Sequence, residues 1–497
     1  MWSPLSTSAI LEPVYRKEFH MKYFRTQSFL ARTLALSMVF TLFLTAACKK
    51  ADKSSQGTPE STIAPIQNVE DLFVKGDKEY YVPFQDPDHS YCTVAEGLAT
   101  PVRSQGWGGC YAYSAVSTMQ CAFLKADGTL IDLNPLDVIH RIYSDEKTEE
   151  YKEEKYYLSS DPAEDLGGSI VQVTGAMCAD PLNGYLITET NQFSSFHDLS
   201  EEEIKDLIRT YGSISIGVNY QKSCKDMHGY RAQYYPQDDI DHVATLVGWD
   251  DDFPADGFPT KPSRNGAWLV QNTFGQNWGN MGYYWISYDQ YLQDFGCCQV
   301  STEYTSALSY GRFPDAVIYS SDAAEQLSAD QTIFDVDADT INSWNNVTCA
   351  TVFEEKGDLA AVGFWSLTPN QPYTLEIRDG EFGEVLASFS GTFNYAGYHT
   401  IKLDTPLSIK KCTVVLSTAG SARFEGFPRE MKKYTATHKT PVHYETKVEE
   451  GRSFIEIEGA WVDVTDPQII SKLGLSKFPF FEGATTIGDP CITLLFK

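Results

Sequence analysis

The chain is poor in positive charge. Its 39 lysines and arginines stand against 67 aspartates and glutamates, a formal net charge of −28. A surface of that sign repels a phosphate backbone, so nucleic acid is excluded as a partner. Metal-ligand spacing is missing too. Neither a CxxC nor an HxxxH pair occurs among the 11 cysteines and nine histidines, and no metal or cofactor is expected. There is no P-loop and no GxGxxG after a strand, which leaves no cradle for a nucleotide cofactor. No repeat of 20–50 residues marks a solenoid.

At 497 residues the chain is long enough for two or three domains. With 42% hydrophobic residues, including 29 Tyr, 28 Phe and 9 Trp, it can bury a large core. The one strongly apolar run is near the start. Lys22, Arg25 and Arg32 lead into Thr33–Leu44, and small residues follow. This is the pattern of a secretory signal, too short for a comfortable membrane span. Its ending, Leu44-Thr45-Ala46-Ala47-Cys48, resembles a bacterial lipobox, which implies lipidation of Cys48. A soluble secreted protein and a helix-anchored one are the alternatives. Residues 1–47 are read as the signal, with Met21 as the true start. The polar stretch after Cys48 places a flexible tether at 48–80. Export permits disulfides, and setting aside Cys48 and Cys110 leaves nine cysteines, an odd number.

Cys110 sits in "VRSQGWGGCYAYSAV". Tyr113, Val116, Gln120 and Phe123 follow at helical spacing, and the intervening alanines favour a helix that begins at the cysteine. Backbone N–H groups and the positive dipole end stabilise a thiolate at that position. Gly108 and Gly109 allow a substrate backbone to come close. The residue types alone leave two readings, a small core cysteine and a nucleophile.

The stretch "TPVRSQGWGGCYAYSA" resembles the active-site segment of papain-family cysteine peptidases. That resemblance implies partners far downstream. "DIDHVATLVGWDDD" supplies His242, 132 residues after Cys110, and "GAWLVQNTFGQNWGNMGYYWIS" supplies Asn272. The resemblance then implies Cys110 as nucleophile, His242 as general acid and base, Asn272 as its orienting partner and Gln105 as oxyanion donor. Gly167 and Gly168, with Asp241, would line the substrate groove, and Trp278 would pack over the Asn272 side chain. The spacing departs from the family in one place. Gln105 lies five residues before Cys110, one fewer than the family pattern.

The expected fold is α+β: a papain-like two-lobe domain over 81–304, a helical lobe plus a β-barrel-like lobe. Residues 305–497 carry short alternating runs such as "YTLEIRDG" and "CTVVLST", separated by Gly, Pro, Asn and Asp, the pattern of an antiparallel β-sandwich. They resemble the lectin-like domain that follows the peptidase in some bacterial papain-like proteins. Protein or peptide substrates, a membrane reached through a lipid anchor, and a surface glycan or protein ligand for the last domain are the partners this implies. The competing reading is a catalytically degenerate protein that binds surfaces as an adhesin.

Overall fold

The computed structural model describes residues 64–105, 109–135, 186–195, 199–220, 224–238, 240–311, 314, 316–426, 429–431, 442–444 and 448–497. Cys48, Gly108, Gly167 and Gly168 lie outside them.

The first half is built on a helix and a sheet. Helix α1 (Cys110–Asp127) is buried from Cys110 through Phe123. A helix wrapped on all sides belongs inside a domain, and its small residues let the surrounding strands approach. Gly128, at φ +77°, ends it, its N–H bonding the Leu124 carbonyl. Helix α2 (Glu201–Tyr211) opens with a capping box in which Ser200 and Glu203 satisfy each other's backbone N–H. Its Ile204, Leu207, Ile208 and Tyr211 form one apolar stripe that packs with Trp249 and Trp268.

The strands in chain order are β1 (Ser90–Cys92), β2 (Leu186–Ser195), β3 (Ile214–Val218), β4 (Lys225–Met227), β5 (Tyr230–Gln233), β6 (His242–Asp250), β7 (Ala267–Gln271), β8 (Tyr283–Ser287) and β9 (Leu292–Ser301). After them come β10 (Ser306–Ser309), β11 (Ala316–Tyr319), β12 (Asn346–Phe353), β13 (Gly357–Ser366), β14 (Tyr373–Asp379), β15 (Val385–Gly391), β16 (Gly397–Ile409), β17 (Cys412–Ala419) and β18 (Ser421–Phe424). The last are β19 (Arg429–Met431), β20 (Val442–Tyr444), β21 (Ser453–Ile457), β22 (Ala460–Asp463) and β23 (Thr493–Phe496). One sheet runs β10-β23-β13-β16-β2-β9-β3-β6-β7-β8-β5-β4, with β1 paired to β6. A second, β15-β14-β17-β12-β21-β22, faces its first four strands. Phe353, Leu375, Ile377, Val414 and Leu416 meet Val362, Phe364, Leu494 and Phe496 between them, a sandwich core.

Residues 64–80 depart from the tether expected at 48–80. Ile66, Leu72 and Phe73 are buried. Phe73 stacks on Trp285 at 5.7 Å. Burying a side chain of that size is worth about 1.5–3 kcal/mol, which outweighs the polar composition of the neighbouring residues. Asp250 fastens the strap, its carboxylate accepting from Tyr81 Oη (2.7 Å) and the Phe84 N–H (2.8 Å). No disulfide joins any two described cysteines. No described helix is long and apolar enough to cross a membrane.

The two halves meet where β16 pairs with β2, His399 opposite Glu189. The Tyr398 N–H donates to Thr190 Oγ1 (2.9 Å), and Thr400 Oγ1 donates to the Thr188 carbonyl (2.7 Å). Gly397, at φ +143°, permits this approach, since a Cβ there would stand 1.8 Å from the Thr190 carbonyl oxygen. The His399 ring is buried, stacked on Phe393 at 3.9 Å, and its Nε2 donates to the Tyr395 carbonyl (2.9 Å). Burial holds its pKa below the usual histidine value, although the Tyr395 carbonyl and Glu189 pull the other way. The unfolded chain therefore binds the proton more readily than the folded one, and stability falls as pH drops through the ordinary histidine range. Melting temperature should decline between pH 7.5 and pH 5 more steeply in the native chain than in His399→Gln, which keeps a side-chain donor. Parallel curves would remove His399 as the cause.

Candidate active site

Three contacts fix how α1 lies on the sheet. Ser114 Oγ donates to the Ala244 carbonyl (2.8 Å) and meets Thr245 Oγ1 (2.8 Å) and Ser215 Oγ. Ser117 Oγ accepts from Gln271 Nε2 (3.3 Å). Cys121 Sγ lies against Gly212, where a Cβ would be 2.6 Å from it. Gly212 precedes β3, whose Ile214 pairs with Leu246 and whose Val218 pairs with His242. The helix therefore runs along β6 from the His242 end toward the Leu246 end. Stepping back from Ser114 to Cys110 covers ~6 Å of helix axis. Stepping back from Ala244 to His242 covers ~6.6 Å of strand. The register brings Cys110 level with His242.

β7 is antiparallel to β6, with Thr245 opposite Gln271, so Asn272 emerges at the same end. Asn272 Oδ1 lies 2.8 Å from His242 Nε2. The same oxygen accepts the Thr273 N–H (2.8 Å), which identifies it as the acceptor end of the amide. Nε2 therefore carries the hydrogen, and Nδ1 is the ring nitrogen left for a proton acceptor's work. Cys110, His242 and Asn272 are all buried at 1% exposure or less. No acidic residue occupies the first turn of α1, so nothing there opposes a thiolate electrostatically.

Gln105 is held by the residue after Asn272. Its N–H donates to the Thr273 carbonyl (2.8 Å), and Thr273 Oγ1 donates to Gln105 Oε1. With Oε1 engaged, Nε2 is the end of the amide that can face a developing oxyanion. Neighbouring bonds stitch the two loops together: the Gly275 N–H reaches the Arg103 carbonyl (3.0 Å), and Ser104 bridges Phe274. The shortened turn itself, residues 106–108, lies outside the described residues.

An aromatic layer covers the histidine. The ring against His242 is Phe274, at 5.0 Å and 26°. Trp278 stands one layer out, edge-on to Phe274 at 5.7 Å, with Arg231 over its own face at 5.1 Å. Tyr220 adds a further ring, 5.4 Å from His242 and 4.9 Å from Phe274. Asp241 turns its carboxylate to the Tyr220 N–H (2.8 Å), which braces the loop after β3. The roles of Ser114, Thr273 and Tyr220 went unread in the sequence. Only the pairing of strands makes Ser114 a neighbour of Thr245.

Among the other thiols, burial pushes Cys92 and Cys298 up to about 12 and Cys121 up to about 11. Half-buried Cys224 is also raised, to about 12, mainly by desolvation.

Comparison with known proteins follows this geometry. Residues 88–308 match the family described as papain family cysteine protease, and residues 336–472 match the lectin like domain. The chain thus carries a papain-family cysteine protease domain followed by a lectin-like domain. The papain-family domain is 23% identical over 219 residues to the viral cathepsin of Antheraea pernyi nuclear polyhedrosis virus, covering 42% of this chain and 60% of that protein. It is 22% identical over 206 residues to cathepsin K of Mus musculus, covering 38% of this chain and 56% of that protein. The chain therefore spans little more than half the length of these relatives. Among solved structures, the cysteine protease and lectin-like domains of Cwp84, a surface layer associated protein of Clostridium difficile, share the fold. That chain superposes with a TM-score of 0.55 at 20% identity over 83% of this chain and 89% of its own. Cwp84 after propeptide cleavage gives 0.56 at 19%, over 82% and 98%.

The hydrogen bond inside the papain-family domain has a direct signature. A His242 Nε2–H donating to a buried amide should give a slowly exchanging downfield imidazole resonance in proton NMR. Asn272→Ala should abolish it. Its persistence in that variant would assign the ring a different partner.

Proposed function

We propose that the chain is a cysteine endopeptidase that hydrolyses peptide bonds through an acyl-enzyme, with Cys110 as nucleophile. The observation that carries this reading is the 2.8 Å bond between His242 Nε2 and Asn272 Oδ1 at the level of the α1 start. It holds the imidazole with Nδ1 available to the thiol. Transfer of the thiol proton to Nδ1 gives a thiolate–imidazolium pair. The sulfur attacks the scissile carbonyl carbon, and the electron pair moves to oxygen. The Cys110 backbone N–H and Gln105 Nε2 receive that oxyanion. His242 then protonates the leaving amine, the C–N bond breaks, and the acyl group stays on sulfur. Water, deprotonated by His242, attacks the thioester and releases the acid. Phe274 against the imidazole excludes water from the His242–Asn272 bond and so strengthens it. In this reading the resemblance assigns Gly167, Gly168 and Asp241 to the groove for protein or peptide substrates.

Export supports the same picture. The signal-like start and the lipobox-like ending at Cys48 support lipidation and membrane attachment in this reading. The structurally similar Cwp84 is described as surface layer associated. The competing reading, a degenerate peptidase acting as an adhesin, predicts a silent Cys110.

Hydrolysis of a casein-derived fluorogenic peptide separates them. Cys110→Ala should reduce turnover to background. Loss of the hydroxyl in Thr273→Val should lower kcat by about tenfold, short of the 10²–10³ for removing an oxyanion donor outright, with KM little changed. Thr273→Ser should restore kcat. Undiminished turnover in Cys110→Ala would end the nucleophile assignment, and no turnover in the native chain would favour the adhesin.

A further inference from the structure

The two oxyanion donors of the proposed reaction belong to separate pieces of the chain. The Cys110 backbone N–H is part of α1. Gln105 Nε2 sits at the end of a segment, residues 100–105, that lies along the loop after β7. Three bonds hold that segment to the loop. Gln271 Nε2 donates to the Pro101 carbonyl (3.3 Å), the Gly275 N–H to the Arg103 carbonyl (3.0 Å) and the Gln105 N–H to the Thr273 carbonyl (2.8 Å). Gln271 also reaches Ser117 of α1, but by a long bond (3.3 Å) at the far end of the segment from Gln105.

Arg103 links the segment to the helix directly. It is 8% exposed. Its Nη1 donates to Gln120 Oε1 on α1 (2.9 Å), and its Nη2 donates to Asp132 Oδ1 beyond the helix (3.0 Å). Gln120 is fully buried and is itself held, its Nε2 donating to the Ile131 carbonyl (2.6 Å). With Nε2 engaged, the amide oxygen is the end turned to the guanidinium. The Asp132 side chain is 78% exposed, so water screens that arm and the Gln120 arm carries the attachment. Gln120 lies ten residues after Cys110, ~15 Å along the axis, so Arg103 grips the body of the helix and not its first turn.

We propose that Arg103 is a positioning residue that sets the spacing of the two oxyanion donors, by fastening the Gln105 segment to the helix that carries Cys110. The inference rests on the peptidase reading. One residue is bonded to both bodies: its carbonyl accepts from the Asn272 loop, and its side chain donates to α1. The turn joining the donors is one residue shorter than the family pattern, so an anchor outside that turn holds Gln105 at its distance from Cys110. The demand on that anchor is high, since a misplacement of about 1 Å can cost a hundredfold in rate. A lysine would not replace it, because a single ammonium cannot fill two diverging acceptors as the planar fork does.

Peptide turnover and alkylation of Cys110 by iodoacetamide, measured on the same variants of the full chain, test the assignment. Turnover develops an oxyanion. Alkylation does not, since the sulfur displaces iodide from a saturated carbon. Arg103→Met keeps the apolar stem and should lower kcat about tenfold, with KM and the alkylation rate unchanged to within about twofold. Arg103→Lys keeps the charge but loses the fork, and should lower kcat by a smaller factor. It decides the matter should Arg103→Met fail to fold. In a Gln105→Ala background Arg103→Met should cost no further kcat, because the donor it positions is gone. Undiminished kcat in the Arg103 variants would overturn the proposal and leave the peptidase reading intact. A full additional loss in Gln105→Ala, or alkylation that falls in step with kcat, would also overturn it, since either marks a merely structural role. A native chain that turns over no peptide would overturn the peptidase reading and this inference with it.

Discussion

A knot of buried hydroxyls sets the geometry on which the rest of the peptidase half depends. Ser114, one turn into α1, meets Ser215 on β3 and Thr245 and the Ala244 carbonyl on β6. Ser114 and Ser215 are fully buried and Thr245 nearly so. A buried hydroxyl without a partner costs about 1–3 kcal/mol, so α1 cannot slide along the sheet without breaking several bonds at once. That register brings the first residue of a helix level with the first residue of a strand. Cys110 and His242 are these two residues, 132 positions apart in the chain.

A second constraint joins the halves. The outermost strand of the first half, β2, continues into β16 of the sandwich, so the chain forms one long sheet instead of two beads on a string. Ala360, Ala361 and Leu495 from one side bury themselves with Leu186 and Tyr304 from the other. Separated from β2, the β16 edge would stand open at its Gly397 end, the kind of exposed edge that pairs with whatever it meets.

Much of the site was legible because its residues sit at the ends of elements with strong local signals. The helix at Cys110 follows glycines and an alanine-rich run, and His242 opens an unbroken apolar strand. Asn272 needed the resemblance, since nothing in its own neighbourhood points to a histidine. Thr273 and Ser114 were invisible for a different reason. Both are ordinary polar residues whose importance comes only from tertiary pairing. Phe274 illustrates a subtler limit: which aromatic of the loop after β7 stacks on His242 is decided by the path of that loop. The strap at 64–80 was masked by the polar run before it, although Leu72 and Phe73 within it are core residues. Both domain classes were readable, one from motifs and the other from alternation.

The most direct measurement concerns Cys110 itself. The native chain would be treated at neutral pH with a thiol-directed epoxide that requires an activated cysteine, then digested and mapped by mass spectrometry. Burial raises the thiols of Cys92, Cys121, Cys224, Cys298, Cys349 and Cys412 to about 11 or 12, so they are poor competitors. One adduct per chain, on Cys110 and lost in His242→Ala, is the predicted result. A native chain that remains unlabelled at Cys110, or labels there equally well without His242, would contradict the account.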